Sequence, residues 1–386
     1  MAMRVEDSKI QEIVEAISQS GFEGLGKAMQ ILLNEAMLIE RQKYLQAERY
    51  ERTDQRVDYA NGFKPKQLKT RLGILDLEVP QTRNAGFYPS FLERGIRSER
   101  ALRVSLAEMY VQGVSTRKVT AIIKELCGFE VSHDQVSQAA KLLDEELSKW
   151  RSRPLGNYAY LFLDARYEKI RREGCVQDCA ILIAYGINEQ GVREILGVSV
   201  AFSEAEVHWR AFLESLVSRG LSGLRCMISD AHSGLKAALK AVFPSVPWQR
   251  CQFHLQQNAQ AYISKQSLRK EIAAEIRSIF NAANLEEAHR LLKSLVIKYE
   301  KSAPELSQWL EQNVPESLTV FRFPAEHHRR LRTSNLAERV NKEVRRRTRV
   351  VTIFPNVASC LRLVSAVLSE ISDEWETGKT YLSMEV

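Results

Sequence analysis

Residues 158–164 read YAYLFLD, a short aromatic and aliphatic run that ends on a carboxylate. A run of this length and texture predicts a buried strand. Outward from it, strands and helices alternate. Cys179 to Ile187 and Glu194 to Phe202 are two more strand-like runs, and Asn188-Glu189-Gln190-Gly191 between them is a hairpin signal. Ser203 is placed to cap a helix reaching about Arg219, with Trp209, Phe212, Leu213 and Leu216 on one face and Gly220 as its stop. Leu224 to Ser229 reads as a fourth strand ending on Asp230, His232 to Val242 as a helix, and Trp248 to Phe253 as a fifth strand. Three antiparallel strands followed by helix, strand, helix and strand predict a mixed five-stranded α/β sheet.

Downstream the pattern is interrupted. Segments near 255–264, 268–280, 285–299 and 304–313 are helical, separated by Ser267, Asn284 and Pro304. The stretch from Arg332 to Asn356 follows, RTSNLAERVNKEVRRRTRVVTIFPN. Thr333, Ser334 and Asn335 are good helix starters, because their side-chain oxygens accept from free N–H groups of the first turn. Asn335, Glu338, Asn341, Lys342 and Arg345 share one helical face, while Leu336, Val340 and Val344 lie on another and can pack inward. The helix stops before Pro355, and a last helix spans Val357 to Ile371. Glu338 is surrounded by Arg339, Lys342, Arg345, Arg346 and Arg347. Two readings compete: a solvated basic helix partly neutralised by its own glutamates, or a carboxylate that holds a metal ion where a polyanion binds.

Upstream, residues 6 to about 50 carry apolar side chains at helical spacing, and 40–58 are heavily charged, Arg49 among them. In 59–91, Asn61-Gly62 and Pro65 signal turns, and Leu72 to Val79 alternates as a short strand. Lys64, Lys66, Lys69 and Arg71 there read equally as phosphate contacts or as a solvated strand face. Ala101 to Val111, Arg117 to Leu126 and Asp134 to Trp150 are three helices broken at Gly113 and Gly128, with Ser132 capping the third. Short helices with tight glycine turns are the layout of a helix-turn-helix, with Arg117, Lys118 and Lys124 available to DNA. Ser152 to Asn157 is turn-rich and marks a boundary.

The 386 residues are enough for two or three domains. A net charge of +7 points to a polyanionic partner without being histone-like. No apolar run approaches the ~20 residues that span a bilayer, and the first residues lack a signal-type segment, so a cytoplasmic protein is expected. Six cysteines are too few for a disulfide scaffold, and Cys175 and Cys179 have no second close pair to complete a zinc site. His327 and His328 adjoin the basic block as phosphate contacts or solvated surface; Trp309 reads as a core residue ahead of a base-stacking one.

Asp164 and Asp230 end two strands of one sheet, where side chains of adjacent strands converge. With Glu338 they make three carboxylates, the donor set that two hard divalent ions about 4 Å apart require for in-line attack on phosphorus. The sequences LFLDARYEKIR around Asp164, ISDAHSGLKAAL around Asp230, WQRCQFHLQQN with Cys251 and His254, and TSNLAERVNKEVRRRT around Glu338 resemble the Mutator family of transposases, the bacterial insertion-sequence type with Asp-Asp-Glu catalysis. The resemblance implies a ribonuclease-H-like core with a helical insertion, and Asp164, Asp230 and Glu338 as catalytic, metal-binding carboxylates. It implies two Mg²⁺ ions, with Mn²⁺ as substitute, and Cys251 and His254 as a family signature supporting the site. It further implies double-stranded DNA as partner, both element terminal inverted repeats and target, a homodimer or higher oligomer, and a bacterial cytoplasm with nucleoid association on DNA. The expected layout is a helical region at 1–58, a strand and turn segment at 59–96 and a helix-turn-helix-like DNA-binding region at 97–153. The first part of the core follows at 154–254, the insertion at 255–332 and the C-terminal helices of the core at 333–386.

Overall fold

The computed structural model describes residues 7–384 apart from 49, 85, 264 and 265, so Arg49 of the charged stretch lies outside the described residues. The chain divides into two units between Leu142 and Leu143. In the first, α1 (Asp7–Ser20) and α2 (Leu25–Leu45) are the helices that the apolar spacing predicts. The turn signals that follow are overridden. β1 (Ala60–Thr70) pairs antiparallel with β2 (Gly73–Thr82), from Phe63 opposite Pro80 to Thr70 opposite Gly73. A register irregularity between Ala60 and Phe63 accommodates Gly62 at φ 71°. Pro65 is tolerated because a two-stranded ribbon leaves one edge of each strand without a ladder to break. Leu75, Leu77 and Val79 alternate inward and pack with Met37 and Leu33 of α2. Then come α3 (Arg100–Val111), α4 (Thr116–Cys127) and α5 (His133–Ala140). Ser115 Oγ accepts the Lys118 N–H to start α4, and Ser132 with Gln135 closes a capping box on α5.

The third helix does not run unbroken to Trp150. It breaks at Lys141–Leu143, and α6 (Asp144–Ser152) belongs to the second unit. Arg362 grips the Asp144 carboxylate with bonds of 2.6 and 2.8 Å, and Arg151 donates to Ser365 Oγ at 3.0 Å. The division lies ahead of α6, and the turn-rich stretch follows that helix.

β3 (Tyr158–Arg172) is the central strand of the second unit. It pairs antiparallel with β4 (Cys175–Asn188), which pairs antiparallel with β5 (Arg193–Ala201). The crossover helix α7 (Glu206–Ser218) starts at Ala205, because Ser203 bonds the Ala205 N–H instead of capping the helix. β6 (Cys226–Ser229) then lies parallel to β3, α8 (Ser233–Val242) follows, and β7 (Trp248–Arg250) lies parallel to β6. The order is β5-β4-β3-β6-β7. One core joins Leu161, Leu163 and Leu182 of the sheet to Trp209, Phe212, Leu213 and Leu216 of α7 and Leu235 and Leu239 of α8.

Two strand ends differ from the expectation. β3 does not stop at Asp164. Its polar outer half runs on to Arg172 as a ribbon with β4, pinned where Ile170 is buried and Arg171 donates to the Phe354 carbonyl at 2.8 Å. The fifth strand stops at Arg250, because Cys251 begins α9 (Gln252–Ala259). With α10 (Arg269–Phe280), α11 (Leu285–Tyr299) and α12 (Pro304–Asn313), α9 closes a separate apolar cluster that includes Leu255, Ile276, Leu292 and Leu310. Trp309 packs at its edge, half-buried and stacked on Tyr262 at 5.1 Å between centroids. After α13 (Ala325–Leu331) comes α14 (Asn335–Thr348), which buries Leu336, Val340 and Val344 as its spacing predicts. α15 (Val357–Glu376) packs against β5, where Ser372 Oγ accepts the Ile195 N–H at 3.1 Å. No helix among the described residues is long and apolar enough to cross a membrane.

Candidate active site

The last parallel rung between β3 and β6 is Phe162 with Ile228. Two residues further along each chain stand Asp164 and Asp230. Adjacent strands lie about 4.8 Å apart, so equal steps from one rung leave the two carboxylates as neighbours. Ser229 fixes the turn at Asp230, accepting from Trp248 Nε1 at 2.9 Å and donating to the Asp230 carbonyl at 2.7 Å. The His232 N–H donates to Asp230 Oδ1 at 3.3 Å.

α14 is clamped across β3 by alternate residues of that strand. Asp164 Oδ2 accepts from Asn341 Nδ2 at 2.5 Å. Arg166 donates to the Asn341 carbonyl at 2.9 Å and pairs with Glu168, and Glu168 also accepts from Thr348 Oγ1 at 2.7 Å. Burial pushes Asp164 up to about 6; the Asn341 bond and His254 pull it back, and the Asp230 charge raises it further. Asp164 and Asp230 present two carboxylates at the ends of adjacent strands. Two paired oxygen donors of this kind fit a hard divalent cation. Asn341 Oδ1 and His254 Nδ1 are buried without a hydrogen-bond partner among the described residues, so polar capacity at this place is unspent.

Cys251 and His254 stand at the first turn of α9. The buried Cys251 Sγ accepts the Ser334 N–H at 3.4 Å and meets Ser334 Oγ at 3.3 Å. Ser334 thus serves the sulfur and makes no side-chain cap for α14. His254 is raised to about 9, first by its polar interaction with the Cys251 side chain and then by the Asp164 and Asp230 charges, against burial. Burial alone would raise the Cys251 thiol; His254 and Ser334 outweigh it and hold the thiol below its usual range.

A family model described as "Transposase, Mutator family" matches residues 2–378. The chain belongs to this family of transposases. The transposase for insertion sequence element IS406 of Burkholderia multivorans is 58% identical over 99% of this chain and 99% of its own length. That for ISRM5 of Rhizobium meliloti is 42% identical over 99% and 96%. That for IS256 in Tn4001 of Staphylococcus aureus is 39% identical over 95% of each.

In this transposase Glu338 is exposed on α14, one turn before Asn341 and on the same helical face. Among the described residues, no three acidic, histidine or cysteine side chains already converge as a metal-binding set. The structure brings the charges of Asp164, Asp230 and His254 within reach of one another, and among the described residues no bond ties Glu338 to them. The basic residues of α14 divide. Arg339, Lys342 and Arg345 are exposed; Arg346 pairs with Glu343 at 2.6 Å; Arg347 is buried, held by Glu343 and Glu370 at 3.1 Å each. Arg117 and Lys118 are exposed on the first turn of α4. His327 is buried between Tyr160 Oη and the Ser383 carbonyl, and His328 bonds the Phe323 carbonyl, so both serve the fold. Sequence reading put Asn341 on the Glu338 face without giving it a role, and gave Arg166 none. Asn341's place three residues after Glu338 on the same face was the available signal; Arg166 carried none.

Proposed function

We propose that this transposase uses the Asp164–Asp230 pair, completed by Glu338, to cleave and rejoin DNA at the terminal inverted repeats of its own element. Three antiparallel strands continued by two parallel ones, with the carboxylates beside the central rung, support a ribonuclease-H-like core. The observation that carries the reading is the register that sets Asp164 next to Asp230. Asp164 and Asp230 would hold two Mg²⁺ ions, or Mn²⁺, and Glu338 would join them from α14. When bound, such ions activate the attacking oxygen and stabilise the leaving one in an in-line displacement at phosphorus.

The protein's own groups have separate tasks. Asn341 holds Asp164 in one rotamer and ties Glu338's helix to the same strand. His254 places positive charge beside both aspartates. Arg339, Lys342 and Arg345 present cations to a phosphodiester backbone, and Arg117 and Lys118 do so from α4. Water as nucleophile gives strand cleavage, and a 3′-hydroxyl in the same place gives strand transfer, so one site serves both steps. Acting on two element ends requires at least a homodimer.

The test is cleavage of DNA carrying the element's ends by wild type and by Asp230→Asn. The expected result is a cut at the repeat tip that depends on Mg²⁺ or Mn²⁺ and is abolished in the variant while DNA binding persists. Cleavage that survives in the variant would place the chemistry elsewhere.

A further inference from the structure

We infer that the N-terminal unit holds a second DNA contact, a cleft along β1 that takes the phosphodiester backbone. It rests on the reading of the chain as a DNA-cutting transposase and adds cations that the helix-turn-helix-like pair Arg117 and Lys118 does not include.

The cleft has a volume of about 850 Å³. Lys64, Lys66 and Lys69 line it from β1, and Arg94, Arg97 and Tyr88 from the loop between β2 and α3. What matters is how these cations are held. Lys66 Nζ donates to Tyr88 Oη at 2.9 Å and to the Glu93 carbonyl at 3.1 Å. Lys69 Nζ donates to the Glu130 carbonyl at 3.1 Å and lies 5.1 Å from the centre of the Phe129 ring. The Arg94 guanidinium lies 5.1 Å over the Tyr88 ring. All of these partners are neutral. The nearby acids are engaged elsewhere: Glu93 with Arg103 at 3.4 Å, Glu99 with Arg71 at 3.3 Å and the Glu130 carboxylate with Lys124 at 2.7 Å. Among the described residues, no carboxylate lies within ion-pair distance of the five lining cations.

Five like charges gathered in one cleft repel each other, and their potential is focused by the walls. Bonds to carbonyl, phenol and ring faces orient the cations without neutralising them. The missing partner is therefore anionic. It is also extended, because Lys64 and Lys66 alone stand about 7 Å apart along the strand. A single phosphate answers one or two such groups; a phosphodiester strand answers the row. An acidic protein surface is the poorer match, since its carboxylates have no regular spacing, whereas a strand's phosphates recur along the row of cations.

The experiment measures binding of the intact protein to a fluorescent duplex carrying the element end, by anisotropy across a salt series. Lys64→Ala, Arg94→Ala and Arg97→Ala are combined, because these exposed side chains make no hydrogen bond that holds the fold. A control combines Lys27→Ala, Lys43→Ala and Arg100→Ala, equally exposed cations of the same unit outside the cleft. Each lost phosphate contact lowers the slope of log K against log salt by about 0.9. The cleft variant should lose roughly two to three units of slope and at least tenfold in affinity, by the same relation, with an unchanged melting temperature. The control should stay within about threefold, as an unspecific charge effect. A cleft variant with wild-type slope, or a control that matches it, overturns the cleft alone, since wild type would still bind and cleave. Wild-type protein that binds no DNA would overturn both the cleft and the function on which it rests.

Discussion

α14 and β1 are both basic in sequence, and the structure separates them by what their cations face. On α14, Arg346 and Arg347 are answered by Glu343, and Arg347 again by Glu370. On β1, Lys66 and Lys69 are answered by carbonyl oxygens and aromatic groups only. The denser block in sequence is thus the more neutralised one in space. Charge density along a chain counts cations; availability to a polyanion depends on carboxylates brought in from elsewhere.

The comparison breaks most visibly at Arg347. Removing one partner of a buried pair leaves the other charge stranded, so Arg347→Ala should cost about 3 kcal/mol in urea unfolding, with end-DNA affinity kept within about twofold in folded protein. A large affinity loss without destabilisation would return Arg347 to the DNA-facing set. Next in size is Asn341→Ala, which removes the bond that orients Asp164. Cleavage should fall about 10- to 100-fold, with a higher Mg²⁺ requirement and unchanged end binding. If the metal requirement stays put, Asn341 only holds α14 in place. Lys342→Ala with Arg345→Ala should lower the salt slope by about two units, while stability shifts by no more than ~0.5 kcal/mol. Unaltered slopes would mean that the exposed side of α14 meets no backbone.

The smallest effect concerns Glu343, held down to about 2, first by its bond from Arg346 and against its partial burial. Its folded pKa is depressed, so its stabilising contribution is full above about 4.5 and is lost as pH falls towards 2. Melting temperatures should therefore drop further between pH 5 and pH 2.5 for wild type than for Glu343→Gln. Equal drops would show that the α14 neutralisation adds nothing.

The inner sheet was legible because strands covered on both faces are apolar throughout, as Tyr158 to Leu163 are. The outer half of β3 was not, because ARYEKIRR pairs only with β4 and depends on Phe354, far along the chain, for its anchor. β1 hid behind Gly62 and Pro65, which break most strands but fit the edge of a two-stranded ribbon. At the site, Asp164 and Asp230 stood out where apolar runs turn polar. Asn341 did not, because its role is a single bond to a residue 177 positions away. The split among the α14 arginines was equally hidden, since Glu370 lies beyond the end of that helix, on α15.

The sulfur contact between Cys251 and Ser334 has a consequence for how the chain can change. It joins two points 83 positions apart, and beside it the Gln252 N–H donates to the Arg332 carbonyl at 2.9 Å. The helices between these points carry their own apolar cluster and begin and finish at one seam. Such a segment has one part free to vary and one part that is not: residues 313–320 bond to Trp248, Gln249, Arg250 and Gln252, so a change of length is absorbed in the helices ahead of them and leaves the start of the helix bearing Glu338 where it was. Variation in the size of this transposase should therefore accumulate between α9 and α12, while residues 313–320 and the contacts that close the seam stay fixed.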